Sequence, residues 1–253
     1  MSDDFSFPTE ATKPAADLKK LKWLIYGPPG SGKTTFVAGA GRVLFISTDD
    51  GTRFLDTMRV VVGTWGQFKR VVKKLVAEKP GYDAICLDVM DSLARMCVKY
   101  VCEARSIQHL ADEGYGKAYD IAATELETEI EKLVGIGKYG LFFISHSRDR
   151  ERKTRFSTLT RTEPTMSGQA FKIIYPMTDI VAHLAFDHKS TEEEGAVRRM
   201  FFQPTEYMEA KDRTRRLPKS AILPNGKDGF SIVSGLLGNS SVVEKKPSKI
   251  KLG

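Results

Sequence analysis

The feature that most constrains this chain is a glycine-rich segment that lies between an apolar run and a helical pattern. Its letters, GPPGSGKT at residues 27–34, match the pattern G-x-x-x-x-G-K-[ST]. The preceding residues 21–26 predict a buried strand, and a helix is predicted to begin near Lys33. Strand, phosphate-binding turn and helix in this order predict an α/β domain with a mainly parallel sheet.

The chemistry of this segment predicts ATP and Mg²⁺ as ligands. Glycines let backbone N–H groups point at phosphates, and the start of the following helix adds partial positive charge. We expect Lys33 to reach the terminal phosphates and the Thr34 hydroxyl to ligate Mg²⁺. The predicted nucleotide-binding residues are Gly27, Pro28, Pro29, Gly30, Ser31, Gly32, Lys33, Thr34 and Thr35.

A magnesium ion held by Thr34 also needs an acidic partner at the end of a neighbouring strand. Residues 84–88 read as a buried strand that ends in Asp88, which is therefore the second predicted metal-binding residue. Asp91, three residues later, is predicted to cap the following helix.

Hydrolysis requires a carboxylate that orients and deprotonates the attacking water. In one large class of P-loop ATPases this carboxylate directly follows the metal-binding aspartate, but Val89 stands there. Residues 43–47 predict another strand, which runs into Asp49 and Asp50 at the sheet edge where doubly wound folds bind their ligands. Asp49 is the predicted base, and a turn without chemistry is the alternative.

Strand-like and helical runs alternate until about residue 171, after which residues 179–186, 197–203 and 207–211 read as strands. We predict one continuous domain over residues 20–238, with helices flanking the sheet and antiparallel edge strands in the C-terminal third. Residues 1–19 and the basic tail 239–253 are predicted to be flexible.

Net charge and hydropathy indicate which classes of partner the protein can have. The chain carries 39 Lys and Arg against 32 Asp and Glu, a net charge of +7, which favours a polyanion as partner. Without a signal-like apolar start or a run of 18 apolar residues, the protein is predicted to be cytoplasmic, with no membrane contact. The three cysteines lack zinc-site spacing and are predicted to be free thiols.

Basic residues concentrate in the segment RDRERKTR at residues 148–155. We interpret it as part of a polar loop of about twenty residues, which is uncommon in a compact domain unless functional. Cations neutralise phosphates and an aromatic ring stacks on a base, so the loop is predicted to bind single-stranded DNA. In the alternative interpretation, Asp149 and Glu151 pair with their basic neighbours. The predicted DNA-binding residues are Arg148, Arg150, Arg152, Lys153, Arg155, Phe156 and Arg161.

The order of these features resembles the RecA-like recombinase core. More narrowly, it resembles core-only RecA-like ATPases of phages that are described as single-strand annealing or recombination proteins. The likeness covers roughly residues 21–237, and the phrases GYGK at residues 114–117 and AKDR at residues 210–213 strengthen it. It implies a single RecA-like P-loop domain, a DNA-stimulated ATPase that promotes strand annealing or exchange, and the host cytoplasm for a phage-encoded chain.

The resemblance also implies roles for individual residues. Asp49 takes the place of the recombinase catalytic glutamate, and His146 stands where a glutamine senses the terminal phosphate and passes that state to the DNA loop. Lys211 and Arg213 fall at the subunit boundary, where they would reach a neighbour's ATP. The implied assembly is a homo-oligomer, a ring or a filament, with ATP at subunit interfaces. A single-strand-binding protein is the candidate further partner.

Three other functions remain open. A helicase loader or other AAA+ remodeller fits the wording GPPGSGKT, but no Glu follows Asp88 and the C-terminal third reads as strands rather than a helical lid. A small-molecule kinase would need a substrate lid near a second arginine-rich helix. A nucleotide-gated DNA clamp with little turnover would share every site residue, and ATP turnover with and without single-stranded DNA separates it from the first hypothesis.

Overall fold

The phosphate loop follows a central strand of a ten-stranded sheet in the computed structural model, which describes residues 9–11, 17–153, 158–187, 197–223 and 228–238. The strands are β1 (Lys22–Gly27), β2 (Val43–Ser47), β3 (Met58–Val61), β4 (Ala84–Asp88), β5 (Gly140–Lys153), β6 (Thr158–Pro164), β7 (Ile180–Phe186), β8 (Arg198–Phe201), β9 (Lys211–Asp212) and β10 (Ser220–Leu223). The α-helices are α1 (Lys33–Ala38), α2 (Trp65–Glu78), α3 (Met90–Ala104), α4 (Lys117–Gly135), α5 (Gly168–Met177) and α6 (Gly229–Gly238).

The sheet has the order β10-β8-β7-β1-β5-β4-β2-β3, and its centre is parallel. Strands β8, β9 and β10 pair antiparallel at one side. The predicted α/β class, the mainly parallel sheet and the antiparallel strands in the C-terminal third are therefore confirmed. The parallel register brings the ends of β1, β2, β4 and the middle of β5 to one edge of the sheet.

The alternation of side chains along β1 explains why this strand reads as a continuous apolar run. Trp23 and Ile25 face a core that contains Phe36 from α1, whereas Leu24 and Tyr26 face the opposite core, built with the helices α2, α3, α4 and α5. Because helices cover both faces of the strand, its side chains are buried on both sides. A polar group there would need a hydrogen-bond partner, so apolar residues dominate. The phosphate loop thus starts from a rigid, buried strand.

The predicted irregular loop at residues 148–163 is wrong, because this segment is a β-hairpin. Strand β5 continues to Lys153, and β6 returns antiparallel to it, with Arg148 opposite Glu163 and Lys153 opposite Thr158. The segment alternates cations with carboxylates and then places threonine at every second position, a period-2 pattern that suits a strand. Residues 154–157, which include the predicted DNA-binding residues Arg155 and Phe156, lie outside the described part of the chain.

Smaller differences concern the ends of the domain. Leu18 is buried within a 3-10 helix, so packed structure precedes residue 20. The strand predicted at residues 207–211 is wrong except at its last residue, because β9 comprises only Lys211 and Asp212. Residues 1–8, 12–16 and 239–253, most of the predicted flexible ends, are not described. Among the described helices, none is long and apolar enough to cross a membrane, and the three cysteines are buried and free.

Candidate functional site

A cavity of about 360 Å³ lies where the ends of the parallel strands meet. Its walls come from the phosphate loop, the turn after β2, the end of β4, the middle of β5 and the start of β8. The predicted site residues that line it are Pro29, Gly30, Gly32, Lys33, Thr34, Thr35, Asp49, Asp88 and His146. The fold therefore brings together, in one cavity, residues that are up to 117 positions apart in the chain, from Pro29 to His146.

The glycines of the phosphate loop are needed for its path. Gly30 and Gly32 have φ values of 76° and 90°, in the left-handed region that L side chains rarely adopt. At Gly27 a Cβ would lie 1.9 Å from the carbonyl oxygen of Leu184 on β7. Within the loop the Ser31 Oγ atom is buried, and no described residue offers it a hydrogen bond. A phosphate oxygen would satisfy such a group.

Lys33 is buried beneath the loop that it serves. Its Nζ atom donates to the carbonyl oxygens of Gly27 at 2.9 Å and Pro28 at 2.8 Å. Burial lowers the pKa of Lys33 to about 8, against the opposing charges of Asp88 and Asp91. An ammonium group has three donors, so two fix its position and the third remains for a phosphate.

Thr34 and Asp88, the two predicted metal-binding residues, are in direct contact. The Thr34 Oγ1 atom donates to Asp88 Oδ2 at 2.9 Å. Burial raises the pKa of Asp88 to about 6, although the hydrogen bond from Thr34 lowers it, and the nearby charge of Asp49 raises it. A hydroxyl and a carboxylate are hard oxygen ligands that fit Mg²⁺, which takes few protein ligands when phosphates supply the others. Bound Mg²⁺ would neutralise charge that develops on the phosphates.

Asp49 faces the cavity from the turn after β2. Its side chain is exposed, and its Oδ1 atom accepts a hydrogen bond from the Gly51 N–H at 2.8 Å. Asp50, the neighbouring carboxylate, does not line the cavity and precedes a short 3-10 helix instead. The position of Asp49 is therefore suited to hold an attacking water.

His146 is held in place by a carboxylate. Asp91 lies inside α3, buried, where its Oδ1 accepts from Ser145 Oγ at 3.1 Å and its Oδ2 accepts from the His146 N–H at 3.3 Å. The predicted role of Asp91 as a helix cap is wrong, because Val89 precedes the helix and Asp91 bonds to β5. The His146 Nδ1 atom is buried, and among the described residues it has no hydrogen-bond partner.

Comparison with known families identifies the domain. Residues 19–214, which are most of the chain, match a family model described as an AAA domain (AAA_24). The chain belongs to this AAA family. AAA domains are typically ATPase domains, which agrees with the phosphate loop that lines the cavity.

Two similar proteins accompany the family match. The SPbeta prophage-derived uncharacterized protein YorG of Bacillus subtilis (strain 168) is 31% identical over 137 residues. These residues are 51% of this chain and 41% of the relative, so the match spans less than half of the relative's length. A crystal structure of the RadB recombinase is similar with a TM-score of 0.48 and 15% identity, over 83% of this chain and 90% of that chain. The family and the prophage relative fit the RecA-like phage ATPases that the sequence resembles.

Lys211 and Arg213 of the AAA domain do not face its own cavity. Strand β9 pairs with the beginning of β7, whereas the phosphate loop packs against Leu184 near the end of β7. The Lys211 ammonium donates to the Tyr175 carbonyl oxygen and lies 4.4 Å from the centre of the Tyr175 ring. Burial and the charge of Arg213 lower the pKa of Lys211 to about 8. Arg213 donates to the Pro176 carbonyl oxygen at 2.6 Å.

The hairpin of the AAA domain pairs part of its basic charge. Arg148 donates to Glu163 Oε1 from Nε at 3.1 Å and from Nη2 at 3.0 Å, and Arg150 lies 3.6 Å from the same oxygen. Arg161 forms an ion pair of 2.8 Å with Glu209. The carboxylates that pair with these arginines are thus Glu163 and Glu209, not the predicted Asp149 and Glu151. Arg150 and Lys153 remain exposed, and the side chain of Arg152 is not described.

Two residues at the cavity of the AAA domain had no sequence prediction as site residues. Arg198, from the start of β8, lines the cavity beside the phosphate loop. Asp91 lies behind His146. The signal in the sequence is a second aspartate three residues after the strand-ending Asp88, in a segment where a buried carboxylate needs a partner. Arg198 carries no local signal, because only the pairing of β8 with β7 brings it to the cavity.

Proposed function

We propose that this ATPase domain binds single-stranded DNA through the hairpin of β5 and β6, and that it uses ATP to promote strand annealing or exchange. We further propose that it acts as a homo-oligomer, a ring or a filament, in which Lys211 and Arg213 reach the ATP of a neighbour. A single-strand-binding protein is the proposed further partner. The observation that supports this function is the distribution of charge on the hairpin.

Strand alternation places Arg148 and Arg150 on one face of β5, and the antiparallel register sets Arg161 directly opposite Arg150. Like charges directly opposite each other destabilise a sheet, and here Glu163 and Glu209 neutralise only part of the positive charge. Residues 148–163 contain six cations and three carboxylates, so the hairpin has an excess of positive charge. A phosphate backbone lying along this face would supply the missing negative charge without reading base sequence.

The hairpin is connected to the ATP site through its own strand. His146 lines the cavity, and β5 continues from it directly into Arg148 and Arg150. Tyr26, one residue before the phosphate loop, donates its hydroxyl to the carbonyl oxygen of Glu209 at 2.6 Å and lies 3.4 Å from that of Thr162 on β6. A change of phosphate state at the cavity would therefore reach the hairpin through two packed strands.

DNA binding is tested by the salt dependence of affinity. The variant Arg150→Ala removes an exposed cation from this face, and the slope of log K against log salt for an unstructured oligonucleotide should fall by about 0.7, because that is the contribution of one single-strand phosphate contact. Lys73→Ala on α2 is the matched control, since it removes the same charge from a helix. An unchanged slope in the hairpin variant would contradict the proposed DNA surface.

ATP turnover separates this function from the alternatives. We expect single-stranded DNA to stimulate hydrolysis by the wild-type protein, whereas a nucleotide-gated clamp would bind DNA and ATP with little turnover in either condition. A helical lid typical of a remodeller is not found after β8 in the described part of the chain, where two short strands and α6 follow. Turnover without any response to DNA would favour another substrate for the ATPase.

A further inference from the structure

Arg198 reaches the nucleotide cavity from a strand of the same chain. Strand β8 pairs with β7, and β7 pairs with β1, which leads into the phosphate loop. The side chain packs so closely on the loop that a Cβ at Gly32 would lie 3.2 Å from Arg198 Nε and 3.4 Å from Cζ. The guanidinium therefore lies over the backbone whose N–H groups serve the phosphates.

A neighbouring ring fixes the direction of this side chain. Phe186 is directly opposite Arg198 in the ladder between β7 and β8, and the guanidinium carbon lies 5.7 Å from the centre of the Phe186 ring. Contact with an aromatic face restricts a long side chain that would otherwise sample many rotamers. Arg198 is thus placed before nucleotide binds, which reduces the entropy lost when it contacts a ligand.

In the part of the chain that the structure describes, the cavity is lined by two carboxylates and two cations, and the second cation is available to balance the negative charge of a nucleotide. Asp49 and Asp88 contribute carboxylates, while Lys33 and Arg198 are the basic side chains among the described residues of the lining. Lys33 already gives two of its donors to backbone oxygens. A guanidinium offers a planar pair of donors that matches two oxygens of a phosphate group.

We propose that Arg198 is a nucleotide-binding residue that acts within its own subunit and contacts the phosphates of the bound nucleotide beside Gly32. This inference rests on nucleotide binding by the ATPase domain and is independent of the proposed DNA surface. It also divides the basic residues of the C-terminal third into two groups. Arg198 would serve the nucleotide of its own chain, while the function proposed above assigns Lys211 and Arg213 to that of a neighbour.

The test measures the affinity of the full-length protein for Mg²⁺·ADP by isothermal titration calorimetry at several salt concentrations. Arg198→Gln removes the charge and keeps a shorter polar side chain, so Kd should rise roughly ten- to a hundredfold, the scale of a lost hydrogen bond to a charged group. The salt dependence of Kd should become weaker, since one ionic contact is missing. Arg198→Lys keeps the charge without the planar fork and should recover part of the affinity.

Arg199→Gln is the matched control on the same strand, because Arg199 bonds to Asp187 and Ser220 rather than lining the cavity. Its Kd for ADP should equal that of the wild type. If Arg198→Gln bound ADP as tightly as Arg199→Gln does, the inference would be wrong. A higher Kd with an unchanged salt dependence would also overturn it, since the contact would then be with the base or the ribose. DNA affinity, measured in parallel, reports separately on the hairpin.

Discussion

Ser145 and Asp91, 54 residues apart in the chain, are joined by a buried hydrogen bond of 3.1 Å between the middle of β5 and the first turn of α3. The second oxygen of the same carboxylate accepts from the backbone N–H of His146. Asp91 thus fixes the point at which β5 passes the nucleotide cavity. The Nδ1 atom of His146 has no partner among the described residues, so the backbone hydrogen bond to Asp91 is what would hold this residue in the proposed role of phosphate sensor.

Asp91→Asn should therefore separate ATP binding from turnover. The amide can accept only one of the two hydrogen bonds, so the backbone at His146 becomes less defined, and we expect kcat to fall roughly tenfold while KM for ATP changes little. Ser145→Ala, which keeps the bond to His146, is the control and should retain most of the activity. Steady-state kinetics test this. An equal loss in both variants would show that the effect is on packing rather than on His146.

Asp49→Asn and Asp50→Asn test the position of the general base. Asp49 lines the cavity and Asp50 does not, so Asp49→Asn should lower turnover by roughly a hundredfold or more and leave ATP affinity nearly unchanged. Asp50→Asn removes the same charge one residue away and should remain active. Single-turnover hydrolysis with radiolabelled ATP measures both. Greater damage in Asp50→Asn would shift the assignment by one residue.

Asp88 predicts an unusual dependence of stability on pH. Its pKa is raised from the ordinary value of 3.8 to about 6, so the folded protein holds this proton more tightly than the unfolded chain. Below about pH 4 the carboxyl is protonated in both the folded and the unfolded protein and does not affect stability. As pH rises from about 4 to about 6 the unfolded chain loses this proton first, so the folded protein becomes progressively less stable. Asp88→Asn should raise the free energy of unfolding of nucleotide-free protein at pH 8 by on the order of 2–3 kcal/mol.

Urea denaturation at about pH 4 and pH 8 tests this expectation, and the two proteins should be alike at the lower pH. Turnover should nevertheless be lost in the variant, since an amide replaces the carboxylate that would hold Mg²⁺. A variant less stable at pH 8 would mean that the bond from Thr34 outweighs the burial of charge.

Mixed oligomers test whether Lys211 and Arg213 act across a subunit boundary. Replacing both with Ala should leave ATP affinity intact and reduce DNA-stimulated hydrolysis roughly a hundredfold or more, because a neighbour's active site loses its positive charge. Lys33→Ala subunits, which cannot hold ATP but carry intact Lys211 and Arg213, should restore activity when mixed in. Lys219→Ala, which removes a positive charge at another position, is the control for a nonspecific effect of charge. Lost DNA affinity without rescue would place these residues on the DNA surface.

The parts of the fold that sequence predicts well are those whose signal is local. The phosphate loop has a fixed pattern, and β1 and β4 are short apolar runs because helices cover both sides of the sheet. The position of Asp88 follows from the end of its strand.

Features that depend on pairing between distant segments could not be predicted in this way. Arg198 reaches the cavity because β8 pairs with β7, and no pattern near residue 198 records that pairing. The hairpin could not be predicted from hydropathy, because its strands are polar on both faces and show no alternation of apolar and polar residues. The bond from Asp91 to Ser145 required knowledge of the contact between α3 and β5.

The continuous strand β5 changes the mechanics expected of the hairpin. At about 3.3 Å per residue, the seven residues from His146 to Lys153 extend about 23 Å as one paired ribbon. A tilt of about 10° at His146 would therefore move the far end by about 4 Å, comparable to the spacing between neighbouring strands. Because β5 and β6 are hydrogen-bonded to each other along this length, the two strands would rotate together. In the proposed function, ATP would then reorient two strands that are already paired, so little conformational entropy would be lost in the change.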